Sequence, residues 1–257
     1  YEKYNTQFLY KYKESDFRWN VTSYIPFYSV PADEAYVEKA YRFIKDRCLN
    51  PWGENFYKNI LPMRILLASR IYSVEQKYGS VWDEGTQQWE YKSYNDTTNH
   101  ASAYGLNHIA FGYTSEQLDE LTPEEQLNTV GELNKSLIGY AASRNKIEIP
   151  AEFVEWYDKY RNNVWDGGEY GCGFLEYYKD MDAAYDFGLY VKYLTTMSEE
   201  AFKAWALSDE VDSSQDWDQA SGTYKRTHAI KNKYEIVLQY FKTQFNINLH
   251  AIGNQAN

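Results

Sequence analysis

Long apolar runs are missing from this chain. No stretch approaches the ~20 consecutive apolar residues of a transmembrane helix, so no helical membrane span is expected. Cysteine is scarce: Cys48 and Cys172 form no Cys-x-x-Cys pair, which removes zinc-ribbon and dithiol redox chemistry. The two could bridge in an oxidising compartment. Two separate buried thiols are the reading adopted, since free cysteine packs as a small hydrophobe. Histidine is scarce too. His100, His108, His228 and His250 include no i, i+4 pair, so no helix carries a local two-histidine metal site. His108 lies in a strand pattern and reads as structural. No Gly-x-Ser-x-Gly elbow occurs, although a Ser/His/Asp triad stays open because its members need not be neighbours in sequence. The glycine-rich stretch GGEYGCG at 167–173 lacks a phosphate-loop pattern and holds no basic residue. Positive charge is also short, with 26 Lys and Arg against 37 Asp and Glu and a net charge of −11. Nucleic acid and anionic membrane surfaces are therefore poor partners. The acidic balance favours a soluble monomer.

What the chain has is size and rings. Its 257 residues are 44% hydrophobic and 25% charged, enough for a sizeable core in one large domain or two small ones. Aromatic content is 18%, with 27 Tyr and 8 Trp. Most of these rings are read as core and seam packing, and a minority as a surface that stacks on sugars or peptides. The patterning runs strands first, helices second. Phe17–Tyr24 has strand character. Residues 32–48 put Val37, Ala40, Ile44 and Cys48 on one helical stripe. MRILLASRIY at 63–72 reads as a central strand, and 88–94 and 106–113 as two more. Thr122-Pro123-Glu124-Glu125 then starts a helix to about 142, with Thr122 as cap, Pro123 at the first helical position and Glu125 closing a capping box. Its buried stripe is Leu127, Val130, Leu137 and Ala141. Further helices are expected after Pro150, with Phe153, either Trp156 or Tyr157, and Tyr160 inward, and at 182–197, 199–207 and 224–243. Residues 208–222 read as a polar surface loop. The order implies an α+β fold, a mixed-sheet subdomain at 1–121 packed on a helical subdomain at 122–257.

The capped helix carries the one informative string. A zincin helix places two histidines one turn apart around a glutamate, His-Glu-x-x-His, so that both imidazoles face one zinc. The corresponding residues here are Gly131-Glu132-Leu133-Asn134-Lys135. A lone Glu on a helix means nothing, but the flanking stretches add to it in order: LNPWGENFYKNILPMRILLASRIY at 49–72, YGLNHIAFGY at 104–113, GFLEYYKDMDAAYDFGLYVKYLT at 173–195 and IKNKYEIVLQYFKTQFNINLHAI at 230–252. Together they resemble a family of zinc-binding, gluzincin-like metallopeptidases, typical of lipoproteins in gut-type bacteria with outer-membrane glycan-uptake systems.

The resemblance implies a single gluzincin-like zincin domain over 1–257, with an extracytoplasmic setting as a cell-surface or periplasmic lipoprotein whose targeting segment is not part of this chain. It also implies where the chain departs. A pattern similar to Glu-Asp-Phe-Ala-Glu becomes Tyr185-Asp186-Phe187-Gly188-Leu189, so the three ligand positions hold Gly131, Lys135 and Leu189. None of these binds zinc: glycine and leucine have no donor, and lysine is an ammonium. No cofactor is expected, zinc included, and Glu132 is left without a metal-activated water to deprotonate. Taken by themselves, Gly131 is a packing residue, Lys135 a solvated one and Leu189 core. Three functions follow. The first is a non-catalytic binding or accessory protein whose cleft, near Tyr104, Gly131, Glu132, Lys135, Tyr178, Asp186 and Leu189, holds a peptide or glycan, with outer-membrane uptake components as partners. The second is a hydrolase (a peptidase with an unconventional site) using Glu132 and Tyr178 as acid and base. The third is a structural subunit of a surface complex.

Overall fold

The computed structural model describes residues 5–18, 27–161, 173–176 and 181–256. The chain divides into two compact units, one of Tyr1–Tyr41 with Pro62–Leu121 and one of Arg42–Leu61 with Thr122–Asn257. The first is built on a mixed sheet and the second is largely helical, so the chain is α+β. The expected boundary at 121/122 coincides with one division. The segment Arg42–Leu61 instead belongs with the helices, because its buried rings Trp52 and Phe56 pack on Phe241.

The first unit is organised by one 20-residue strand, β3 (Arg64–Asp83). Its apolar start, expected as a central strand, lies between β1 (Gln7–Leu9) and β6 (His108–Phe111), parallel to both. Strand β2 (Phe27–Pro31) and strand β4 (Gln88–His100) pair antiparallel with it further along. Strand β5 (Ser102–Tyr104) closes the edge against β6. The patterning missed β5 and the full lengths of β3 and β4. Beyond residue 73 these strands carry few buried side chains and so lose the apolar signal that marked 63–72. Phe17 is not on a strand: it lies on helix α1 (Glu14–Arg18) and is buried against Leu66, Ala68, Ile71 and Ala110. The rest of that expected strand, 19–24, lies outside the described residues. The stripe at 32–48 is helical as expected, as α2 (Val37–Phe43) running into a π-helical turn at Ile44–Leu49. Ala40, Ile44 and Cys48 are buried, and Cys48 is a free thiol. Cys172 lies outside the described residues. After helix α3 (Glu54–Ile60) the chain enters β3, and the short helix α4 (Gln117–Glu120) ends the sheet unit.

The helical unit begins with helix α5 (Pro123–Ser143), whose capping box is present: Glu125 N–H donates to Thr122 Oγ1 at 3.2 Å, and Thr122 N–H donates to Glu125 Oε2 at 2.8 Å. Helices α6 (Ala151–Arg161), α7 (Ala183–Leu194), α8 (Glu199–Ala206), α9 (Ala229–Phe245) and α10 (Leu249–Ala256) follow. On α6, Phe153, Tyr157 and Tyr160 are the buried residues, so of the two aromatic candidates at 156 and 157 it is Tyr157 that turns inward. The polar stretch at 208–222 is a loop only in part. Strand β7 (Gln215–Asp218) pairs with β8 (Thr223–Arg226), so the last long helix starts at Ala229 rather than 224. The turn between them uses Asp218, whose carboxylate accepts from Ala220 N–H at 3.1 Å, and Gly222 at φ +63°. That φ suits glycine best.

Candidate functional site

The expected site residues fall into three groups. Glu132, Lys135 and Gly131 lie on one face of α5 and meet α7. Asp186 and Leu189 lie on α7 but are fully buried, so they offer no surface to a ligand, contrary to a role as cleft lining. Tyr104 belongs to the sheet unit, on β5, and is 39% exposed. Tyr178 lies outside the described residues.

The contact of α5 with α7 is close because glycine sits on both sides of it. A Cβ added at Gly131 would stand 2.8 Å from Lys192 Cγ, and one at Gly188 would stand 3.0 Å from Lys135 Cγ. Residues 185, 188 and 192 of α7 are spaced so that they share one helical face, and this is the face that α5 meets. The partners of Gly131 and Lys135 are therefore Lys192, Thr196, Gly188 and Tyr185.

Within this contact the charges are matched. Glu132 Oε2 is 2.7 Å from Lys135 Nζ, and Glu132 Oε1 is 2.9 Å from Lys192 Nζ. Lys192 Nζ reaches Glu176 Oε1 at 2.9 Å, and Tyr193 donates its hydroxyl proton to the same oxygen. Two carboxylates thus meet two ammonium groups. Lys135 Nζ also lies 4.8 Å from the centroid of the Tyr185 ring, within cation–π range. Burial pushes the Glu132 carboxyl up, but the ammonium groups of Lys135 and Lys192 outweigh it and hold the group below its ordinary value. Burial likewise opposes Glu176, and the Tyr193 hydrogen bond and Lys192 bring it below its ordinary value. Burial lowers Lys192, yet Glu132 dominates and raises it. Beside the network, Asn134 accepts from Trp52 Nε1 at 3.3 Å and donates to Thr195 Oγ1 at 2.9 Å.

A second ion pair lies deeper. Lys233 Nζ on α9 is 2.5 Å from Asp186 Oδ2, both side chains are 0% exposed, and the Phe174 ring centroid lies 4.2 Å from the ammonium. Among the described residues, Asp186 Oδ1 has no hydrogen-bond partner. Burial raises Asp186 and lowers Lys233, each against the attraction of the other.

Sequence reasoning found Glu132 and Lys135 but missed Lys192, Glu176 and Tyr193. The signal for Lys192 was a lone ammonium in the apolar run FGLYVKYL, where an unpaired charge would be costly. Glu176 carried no signal, because its place beside Lys192 is a tertiary contact.

The residues present do not fit zinc. The α5 positions that would carry imidazoles hold a side-chain-free residue and an ammonium. Among the described residues, no group of three His, Cys, Asp or Glu side chains is placed to hold a metal ion. Among the described residues, each carboxylate of this network faces an ammonium group. Glu132 is a weakened base, since a lowered pKa is a lowered proton affinity, and Lys135 is already engaged by a carboxylate.

No protein-family model matches the chain, and no curated protein matches it. Among solved structures, its fold is similar to that of "a putative zinc-binding metallo-peptidase" from Bacteroides caccae, with a TM-score of 0.56 over 99% of this chain and 85% of that one, at 15% identity. At that identity the likeness concerns the fold.

Proposed function

We propose that this chain is a non-catalytic protein on a gluzincin-like zincin fold, acting as a binding or accessory protein in glycan or peptide uptake. The observation that carries the reading is the set of ion pairs among Glu132, Lys135, Lys192 and Glu176. Where the metallopeptidase pattern needs two histidines and a glutamate, a lysine of α7 packs on Gly131 and ties Glu132 to Glu176. A metal-free Glu132 held between two ammonium groups is poorly suited to activate water. That weighs against the hydrolase. An extracytoplasmic, lipoprotein setting beside outer-membrane uptake components completes the proposal and rests on the family resemblance alone.

The test is elemental analysis of the purified chain together with a proteolysis assay on unfolded casein. The expected result is less than stoichiometric zinc and no cleavage above background. One tightly held zinc per chain, or cleavage abolished by Glu132→Gln, overturns the proposal. Fractionation of the native cells tests the setting, and recovery of the protein in the cytosol would end that part of it.

A further inference from the structure

The outer half of the β3–β4 ribbon exposes one broad face. Residues 74–83 pair with 88–97 and, among the described residues, with no third strand. At a strand rise of ~3.3 Å per residue this ribbon is on the order of 30 Å long. A two-stranded ribbon by itself is marginally stable in water.

Side chains alternate between the two faces, and the register sorts them by chemistry. Trp82 stands opposite Trp89, Ser80 opposite Tyr91, and Tyr78 opposite Ser93, so four large rings share one face. Their exposure is 41% for Trp82, 68% for Trp89, 67% for Tyr78 and 76% for Tyr91. Between and beside the rings the same face carries hydroxyls and carboxamides, including the opposed Gln76 and Asn95, and no carboxylate, ammonium or guanidinium. The other face holds the charges. There Lys77 pairs with Asp96 at 2.5 Å, and Lys92 with Asp83 and Glu90, each at 3.5 Å. Cross-strand packing accounts for one ring pair: Trp82 and Trp89 lie edge-to-face at 5.6 Å and 65°, a geometry that stabilises hairpins. It does not account for Tyr78 and Tyr91, which stand opposite serines and are largely exposed.

We propose that this ring-bearing face is a binding platform for a neutral oligosaccharide. Charge complementarity selects the partner. The face has no ammonium for a phosphate or carboxylate and no carboxylate for a basic peptide, so a charged ligand gains nothing from it. A neutral sugar presents C–H faces to aromatic rings and hydroxyls to the serine, glutamine and asparagine side chains. Tyr78 and Trp82 lie four residues apart on one strand, which spaces these stacking points on the order of 13 Å apart. An extended chain of several sugars fits that spacing, whereas a single monosaccharide does not. The platform stands independently of the α5–α7 reading, because it lies in the sheet unit and requires nothing of Glu132 or Lys192.

The test uses the full chain in affinity electrophoresis and calorimetry against soluble xyloglucan, glucomannan, galactan and dextran, with polygalacturonate as the anionic comparison. Retardation by at least one neutral polysaccharide is expected, insensitive to about 0.5 M salt because no ion pair is involved. Tyr91→Ala and Tyr78→Ala should each weaken it about tenfold, while Tyr91→Phe, which keeps the ring, retains most of it. Unchanged circular dichroism in these variants separates lost binding from lost fold. Lack of binding across the neutral panel, equal binding by Tyr91→Ala, or salt-sensitive preference for polygalacturonate overturns the proposal. So does a concentration-dependent dimer in sedimentation that Tyr91→Ala dissolves, since the face would then belong to a second copy of the chain.

Discussion

Lys192 is the residue on which the helical unit's polar chemistry turns. It is 9% exposed at its side chain and lies between two carboxylates. Lys192→Met keeps the stem and removes the charge, leaving Glu132 with Lys135 and Glu176 with Tyr193. The expected loss is about 1–3 kcal/mol in urea denaturation at neutral pH, below the full cost of breaking a buried pair because Glu176 is part-exposed. The sign of its pH dependence follows from the carboxylates. Glu132 and Glu176 are depressed in the folded state, so their contribution is present above the unfolded value of ~4.3 and fades as pH falls through the folded values. Lys192 is raised and contributes fully throughout that range. The gap between wild type and variant should therefore be full above about pH 5 and shrink on acidification. A gap that stays constant into strong acid would remove the carboxylates from the account. The deeper pair behaves differently. Lys233→Met alone should cost about 3–5 kcal/mol by stranding Asp186, whereas Lys233→Met with Asp186→Leu should cost less than Lys233→Met alone. Equal or greater loss in the double variant would mean that the ion pair itself, and not the stranded charge, sets the stability.

At the scale of elements, the approach of α5 to α7 depends on the absence of side chains. A Cβ at Gly188 would meet the Lys135 backbone oxygen at 3.4 Å as well as its Cγ at 3.0 Å. Alanine normally favours a helix over glycine by ~1 kcal/mol. Gly188→Ala should nonetheless destabilise, by about 1–2 kcal/mol, because the helices must separate. Thermal unfolding of Gly188→Ala checks this, and a raised midpoint would show that the lysine stem gives way freely. The elements themselves were legible where local chemistry dictates them. Thr122, Pro123 and Glu125 mark the start of α5 by capping alone, and the apolar run at 63–72 marks the buried start of β3. The β7–β8 hairpin was not legible, because its strands QDWD and TYKR alternate polar and aromatic residues with little burial. Of the outer ribbon, 88–94 was read as a strand, whereas residues 74–83 of β3 and the rest of β4 were missed for the same reason.

At the scale of the molecule, α+β order could be read from the succession of patterns, but the return of Arg42–Leu61 to the helical unit could not. That assignment is made by rings meeting across long sequence separations, as Phe56 does with Phe245 at 5.0 Å. The candidate site was half legible. Glu132 and Lys135 followed from the motif position, but the α7 residues facing them are Tyr185, Gly188 and Lys192, a choice fixed by helix rotation and invisible to string matching. This arrangement makes a prediction for the whole chain. A ligand that binds only the folded state stabilises it by about 2.7 kcal/mol at a hundredfold excess over its dissociation constant. For a protein of this size that is a rise of about 5–10 °C in the unfolding midpoint. On the proposed reading, in which Gly131 and Lys135 take the motif's histidine positions, neither added zinc nor EDTA should move the midpoint measurably. A zinc-dependent rise of that size, reversed by EDTA, would require a metal site assembled from other residues and would overturn the proposed zinc-free function.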